Sequence, residues 1–398
     1  MPIRGFKLII RIENKIRVVT ITTTGGHYEI IIDIGMDVHK KTYNLCAVLK
    51  ESDEVLSETR IPADPDFIIK FIENAKSIIN QPDADIKAGY EAGCLGYSLY
   101  WQLTERGIDC DILAPSTMQR SAKNKVLKND RRDARNIAVN LASGTYKSVH
   151  IPTEEDIEIK EYIRMMHDFK IESKKVKQHI NAFILRFGHQ YPGKSRWIPA
   201  HIKWLKELKL NDMHREILDE YLSQLEILTE KIERFQNRLE ELSQKETYRE
   251  KIGQLRCIKG IDTTVAMTLH AETSDFDRFP NAKAFASYCG LTPSEDSSGD
   301  KIRRLGITKQ GNSMIRTALV EAAQVLVRGT IGKKGKKLKS KQKDQDVKVI
   351  DYADKAMVRL QKKYHRMILR GVSRNIAITA IARELSCFVW GIETGHLD

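Results

Sequence analysis

The sequence predicts an α/β domain at the N-terminal end followed by a chain that is almost wholly helical, and three observations carry that prediction. Up to about residue 145, runs of β-branched residues alternate with segments of helical periodicity. From about residue 154 the apolar residues recur at helical spacing and continue so. Within that second region Leu218, Tyr221, Leu225, Leu228, Ile232, Phe235, Leu239 and Leu242 form a sustained heptad seam.

Taken in order, 29–36 is a run of isoleucines with Asp33 inside it, and 42–49 and 55–61 are β-rich. No helix-length pattern separates the three, so an antiparallel meander is expected. Beyond them 66–79 reads as a helix, 86–90 as a strand, 97–106 as a helix, 108–113 as a strand and 130–141 as a helix. Three meandering strands followed by two that are reached through helices is the order of a ribonuclease H-like, or RuvC-like, domain. In that topology the first strand is central and the fourth lies beside it. Asp37, near the end of the first, and Glu91, at the end of the fourth, then become neighbours, and the last helix brings Asp130 and Asp133 over the same edge. The expected division is an extension over 1–28, the RuvC-like domain over 29–150, a helical coiled-coil linker over 151–254 and a mainly helical C-terminal domain over 255–398.

Composition narrows the partners. The 398 residues are 41% hydrophobic and 30% charged, which suits a globular protein with ample core. A formal charge of +13 and a pI near 9.3 favour a polyanion, nucleic acid or an acidic membrane surface. No apolar run approaches the roughly 20 residues of a spanning helix, and residues 1–26 lack a continuous signal-peptide core. No membrane partner and a cytoplasmic location are therefore expected. The six cysteines, Cys46, Cys94, Cys110, Cys257, Cys289 and Cys387, include no C-x-x-C pair, so neither zinc nor a disulfide framework is indicated.

The chemistry concentrates in Lys128-Asn129-Asp130-Arg131-Arg132-Asp133-Ala134-Arg135. Two carboxylates three apart on a helix project from one face, and the arginines around them suggest a metal site beside a phosphate site. Each acid has a bland alternative: Asp37 as a turn residue, Glu91 as a surface residue, Asp130 as an N-cap with Asp133 in the first turn. Their joint occurrence, in order on the right elements, favours metal binding. Four converging carboxylates repel unless cations lie between them, and hard oxygen ligands suit one or two Mg²⁺. Such ions activate an attacking oxygen and stabilise a leaving one in phosphodiester displacement. Asp33 is the rival on the first strand, because positions 33, 35 and 37 share a face.

The heptad seam needs a partner helix. The reading preferred here is the same segment of a second subunit, giving a homo-oligomer; the alternative is the preceding helix around 171–187 folding back. Between them, 187–205 holds Trp197 and Trp204 in a Gly- and Pro-containing break, where packing is expected over base stacking. The stretch 255–266 resembles half of a helix-hairpin-helix, with Asp262 where a second glycine is usual. Next, Ser297-Ser298-Gly299 is followed by Lys301, Arg303 and Arg304, so a loop serine stands beside cations that suit a phosphate. Residues 333–343 carry seven lysines, expected to form a mobile phosphate-contacting arm.

Gly35-Met36-Asp37-Val38-His39-Lys40, Tyr90-Glu91-Ala92-Gly93, the 128–135 segment, Gly290-Leu291-Thr292-Pro293, Ser297-Ser298-Gly299 and Ile307-Thr308-Lys309-Gln310-Gly311-Asn312 together resemble the transposases of insertion sequence family 110. The resemblance covers about 30–145 and 255–330. It implies a RuvC-like DEDD domain, a coiled-coil linker, a C-terminal transposase domain with a catalytic serine, and recombination of donor and target DNA guided by a structured RNA from the element. Carried over, the tetrad is Asp37, Glu91, Asp130 and Asp133. The serine is Ser298, with Ser297 second. Asp262 and the residues before about 28 depart from the family pattern. A serine nucleophile stores the broken phosphodiester as a phosphoserine ester, so strands rejoin without ATP. The rival readings are a hydrolytic RuvC-like nuclease of junction-resolvase type, which does not need Ser298, an actin-like ATPase, for which no phosphate loop is found, and an inactive sequence-independent binder.

Overall fold

The computed structural model describes residues 4–12, 15–23, 30–93, 95–115, 117–119, 130–298 and 301–397, by backbone alone at 4–12, 15–23, 130, 295–298 and 301–304. Two units divide the chain, Met1–Ile151 and Pro152–Asp398.

In the first unit, β1 (Arg4–Ile12) and β2 (Lys15–Thr23) pair as an antiparallel hairpin, an element the sequence reading of the extension did not assign. The main sheet is built from β3 (Ile31–Val38), β4 (Thr42–Leu49), β5 (Glu54–Pro62), β6 (Asp85–Glu91) and β7 (Asp109–Leu113) in the order β5-β4-β3-β6-β7. The first three form the expected antiparallel meander, and β6 and β7 run parallel to the central β3. On one face Ile32, Ile34 and Met36 pack with Ile68, Phe71 and Ile72 of α1 (Pro65–Ile79) and with Leu99 and Leu103 of α2 (Ser98–Thr104). Asp64 caps α1 by accepting from the Asp66 amide at 2.9 Å, and Pro65 occupies its first turn.

The other face is covered by α3 (Asp130–Ser143), which lies close enough to touch backbone to backbone. Gly35 and Gly89 sit opposite each other on β3 and β6. A Cβ at Gly35 would stand 2.2 Å from the Ala138 amide nitrogen and 2.3 Å from the Ala134 carbonyl oxygen. Glycine on the strand and alanine on the helix are thus a matched pair: either side chain made larger lifts α3 from the sheet. Ala134 and Ala138 cluster with Cys46 and Val48, while Ile137 and Leu141 cluster with Leu113 and Met118.

The second unit begins with α4 (Glu154–Arg186), capped by Thr153, and returns through α5 (Pro199–Glu207) into α6 (Asp212–Leu242). Phe183 lies edge-on to His214 and Tyr221, and Phe169 contacts Phe235, so α4 and α6 are antiparallel. This corrects the preferred partner of the heptad seam. Leu218, Leu225 and Leu228 are buried with Val176, Ile180 and Phe183 of the same chain, and Phe235 and Leu239 join Ile159, Ile163 and Met166. The physical reason is length: α4 starts at Glu154 rather than near 171, and its apolar residues at 159, 163, 166, 176, 180 and 183 supply a complementary stripe. Tyr191, Trp197, His201 and Trp204 pack on one another in the connection, with Tyr191 and Trp204 5.3 Å from each other and His201 fully buried.

The remaining elements are α7 (Glu246–Leu255), α8 (Thr263–Thr273), α9 (Ala282–Tyr288), β8 (Pro293–Ser298), β9 (Lys301–Ile307), α10 (Ser313–Leu326), α11 (Lys336–Gln342), α12 (Val347–Leu369) and α13 (Arg374–Thr394). All of these but β8 and α11 contribute to one core with the base of the α4–α6 pair. By length and composition α13 is apolar enough to cross a membrane, a run that the sequence reading passed over. Half of it is buried, with Ala377, Ile381, Leu385, Val389 and Ile392 in that core, as in the core helix of a globular protein.

Candidate active site

The parallel register of β3 and β6 runs to Met36 opposite Tyr90, so Asp37 and Glu91 are the next residues on adjacent strands, which lie about 4.8 Å apart. They share a face with Gly35 and Gly89, two residues earlier on each strand, and that face is the one α3 covers. Asp133 immediately precedes Ala134, whose carbonyl rests on Gly35, and Asp130 opens the helix. Asp37, Glu91 and Asp133 are all partly accessible. The Asp130 side chain lies outside the described residues. Among the described residues, no three of His, Cys, Asp and Glu converge closely enough to hold a metal ion. Asp37 Oδ2 lies 3.1 Å from His39 Nε2, a contact between neighbours on one motif.

Asp33 shares the face of Asp37 but not its surroundings. It is fully buried, and neither carboxyl oxygen has a hydrogen-bond partner. Burial raises its pKa from 3.8 to about 6, with Lys50 and Lys87 opposing. A group sealed beneath a helix in this way has no route to a solvated cation.

Two of the three α3 arginines, Arg131 and Arg135, reach toward Glu58 of the neighbouring strand. Arg131 Nε donates to Glu58 Oε2 at 2.9 Å and Arg135 Nε to Glu58 Oε1 at 2.6 Å, both directed at β5. Burial pushes the Glu58 carboxyl up, but hydrogen bonding and charge from Arg135, with the charge of Arg131, hold it below its ordinary range. Two exposed arginines on one half-buried acid are a helix-docking clamp. Beside it, burial pushes the Cys46 thiol up to about 12, so it stays an inert core residue.

Sequence reading also missed a polar cluster on β6 and β7. Asp111 accepts from Tyr146 Oη at 2.5 Å and Ser148 Oγ at 3.0 Å and pairs with Lys87 Nζ at 3.1 Å. Burial pushes the Asp111 carboxyl up and the Lys87 ammonium down; the contacts outweigh it in both, keeping Asp111 low and Lys87 high. The signal was available: charged residues inside strands that otherwise read as buried require partners.

In the second unit Ser298 ends β8 and pairs in register with Lys301 of β9, with Ser297 opposite Ile302. The serine thus terminates a hairpin strand rather than floating in a loop, and the hairpin register sets Asp296 against Arg303 and Glu295 against Arg304. Asp262 is no defect of a DNA-binding hairpin; it is the N-cap of α8, accepting from the Val265 amide at 2.9 Å. Gly260, at φ +98°, faces α10, where a Cβ would stand 2.3 Å from the Ala322 carbonyl oxygen. That turn is a packing element. Lysines 333–343 are likewise not a mobile arm: Lys334 Nζ pairs with Asp354 Oδ2 at 2.6 Å, Lys341 Nζ donates to the Ile261 carbonyl at 2.8 Å, and Leu338 is buried.

Both units match known families. Residues 34–188 match a transposase family model named for the DEDD domain of IS110, and residues 253–338 match the model described as transposase IS116/IS110/IS902 family. A putative transposase, y4qE, of Sinorhizobium fredii (strain NBRC 101917 / NGR234) is 32% identical over 312 residues, 76% of this chain and 74% of its own length. The transposase for insertion sequence element IS1533 of Leptospira borgpetersenii is 31% identical over 341 residues, 84% of this chain and 96% of its own. That for IS1111A of Coxiella burnetii (strain RSA 493 / Nine Mile phase I) is 22% identical over 314 residues. A DEDD-type domain suggests a divalent metal. With both units matched and relatives above 30% identity aligned over most of their length, the chain belongs to the IS116/IS110/IS902 family and is a DNA transposase with a DEDD domain.

Proposed function

We propose that this transposase cuts and rejoins DNA by transesterification, with Asp37, Glu91, Asp130 and Asp133 as a divalent-cation site and Ser298 as nucleophile. The observation that carries the reading is the β3–β6 pairing, which sets Asp37 and Glu91 on neighbouring strand ends beneath the first turn of α3. The β5-β4-β3-β6-β7 order supports the RuvC-like reading of the domain. The donor set fits the cation: carboxylate oxygens are hard ligands, and partly accessible strand ends leave room for water, which suits Mg²⁺. When bound, Mg²⁺ supplies charge neutralisation for the attacking and leaving oxygens.

The rest falls to the chain. Ser298 Oγ attacks a phosphorus, its proton is lost, the bond to the 3′ oxygen breaks, and that oxygen takes a proton. The DNA 5′ phosphate is then held as a phosphoserine ester. A second DNA 3′ hydroxyl attacks the ester, the bond to Oγ breaks, and the serine is regenerated, so the number of phosphodiesters is conserved. The family resemblance supports donor and target DNA as substrates, guidance by a structured RNA of the element, and work in the cytoplasm by more than one chain. The heptad seam is occupied within one chain, so a homo-oligomer would form through other surfaces.

The test is a denaturing trap. With Mg²⁺, guide RNA and matched DNA, wild-type protein should yield DNA esterified to Ser298. Ser298→Ala should remove adduct and strand exchange together, Ser297→Ala should lose far less, and Asp37→Ala should abolish cleavage. Cleavage without an adduct makes water the nucleophile and the protein a hydrolytic nuclease.

A further inference from the structure

α12 turns one face to the core, where Tyr352, Ala356, Met357 and Leu360 are buried. Its opposite face exposes Lys348, Lys355, Arg359, Lys362, Arg366 and, at the cap position, Arg370. With Asp351, these positions recur every three or four residues and so stand in one line along the helix. From Lys355 to Arg370 the line runs about 22 Å, at 1.5 Å per residue, with neighbouring cations about 5–6 Å apart. Arg359 is engaged by Glu384 at 2.5 Å. Among the described residues, Lys355, Lys362, Arg366 and Arg370 have no carboxylate partner. Lys355, Arg359, Lys362 and Arg366 also line an open groove of about 600 Å³, together with Val358 and two acids, Asp351 and Asp354, of which Asp354 is already paired with Lys334.

A row of like charges at helical spacing opposes the helix that carries it, so the fold does not account for it. We infer that this face of α12 is a docking surface for the phosphate backbone of duplex DNA. Charge complementarity selects a polyanion, and a straight row of cations suits the regular phosphates of a rigid duplex strand. An unpaired strand is the poorer fit, because single-strand binders stack bases on exposed aromatics, whereas Tyr352 is buried and Tyr364 packs against the core. The chain's membership of a transposase family makes DNA the polyanion it acts on. Of the lysines of 333–343, Lys334 and Lys341 are bound within the chain, Lys334 by the same Asp354 that borders this groove. Contacts of this kind give affinity without sequence readout.

The inference does not rest on the carboxylate site, and its test is run in EDTA so that no strand is cut. Full-length protein and the variant K355Q/K362Q/R366Q/R370Q are titrated against short fluorescent duplexes of two unrelated sequences across a range of salt. A charge-matched control removes Lys70, Lys203, Lys206 and Lys209 instead, all exposed. The α12 variant should bind both duplexes on the order of a hundredfold more weakly at physiological salt, with the slope of log affinity against log salt shallower by about 3 to 4. The half-variants K355Q/K362Q and R366Q/R370Q should each give an intermediate loss, which keeps the test informative if the quadruple variant fails to fold by circular dichroism. Binding equal to the control overturns the inference. So does a loss confined to an RNA hairpin while duplex DNA binding is kept.

Discussion

Asp33→Asn separates two aspartates that the sequence places on one face of one strand. The carboxyl is fully buried without a hydrogen-bond partner, and its pKa stands at about 6 against an ordinary 3.8. An acid whose folded pKa lies above its unfolded value opposes folding once it ionises. The cost is absent below the unfolded value, grows as pH rises, and is complete above the folded one. A gap of about two units corresponds to roughly 3 kcal/mol. Asparagine keeps the shape but never ionises; its buried amide costs about 1–3 kcal/mol at every pH. The pH-dependent part is therefore the signal. Hydrogen exchange of the β3 amides, measured near pH 4 and near pH 7.5, should show wild-type protein losing about 2–3 kcal/mol of opening free energy relative to the variant. Identical pH dependence in the two proteins would mean that Asp33 has the same pKa folded and unfolded, and would refute the reasoning. Strand cleavage adds a second reading, since Asp33→Asn should retain it. Loss of cleavage in a variant with native exchange would move the first carboxylate from Asp37 to Asp33.

Three further outcomes are expected. Leu225→Asp should lower the melting temperature by burying an unpaired carboxylate, costing several kcal/mol by rough estimate, without changing the mass in light scattering; a halved mass would mean that the seam joins two chains. His270 lies 3.0 Å from Glu393, and although burial lowers its pKa, the hydrogen bond and charge of Glu393 raise it above 6.5. That stabilisation is present below the unfolded value and lost as pH rises through the folded one, so His270→Gln should flatten the melting temperature between mildly acid and alkaline pH, and an unchanged profile would count against the pair. Gly35→Ala should lift α3 by about an ångström or more, destabilise the first unit by about 1–3 kcal/mol and suppress cleavage, whereas Gly93→Ala, with no atom nearer than 3.7 Å, should be tolerated; a native melting temperature for Gly35→Ala would be the contrary result.

The first unit was legible because its elements differ in period. Isoleucine runs, the helix at 66–79 and the short strands at 86–90 and 108–113 each carry their own signature, and the meander followed from the lack of any helix between the first three strands. The partner of the heptads was not legible, because a leucine stripe shows that a helix has an apolar face and is silent about which helix covers it. Residues 293–307 escaped assignment as strands: Ser, Glu, Asp, Lys and Arg dominate, and only the antiparallel register of β8 and β9 organises them. Glu58 was passed over because its importance is wholly tertiary; nothing near it in sequence anticipates Arg131 and Arg135. Asp262 misled for a related reason, since a negative residue opposes phosphate and favours a helix N-terminus equally, and only Val265 decides between them.

Charge shows most clearly why composition cannot locate a binding surface. An excess of +13 says that the chain suits a polyanion, and by density of lysine the run 333–343 is the first place to look for one. Density, however, measures lysines per residue, whereas attraction to phosphate depends on cations left uncompensated in space. Lys334 is neutralised by Asp354, Lys341 donates to a carbonyl, and Arg131 and Arg135 are held by Glu58, so each of these basic segments contributes less field than its full count of cations promises. α12 reverses the case. Its basic residues are diluted among Tyr352, Ala356, Met357 and Leu360, and the linear sequence looks unremarkable there. Helical periodicity sorts the two sets onto opposite faces and aligns the cations, so that a surface suited to a phosphate row is one the sequence disguises.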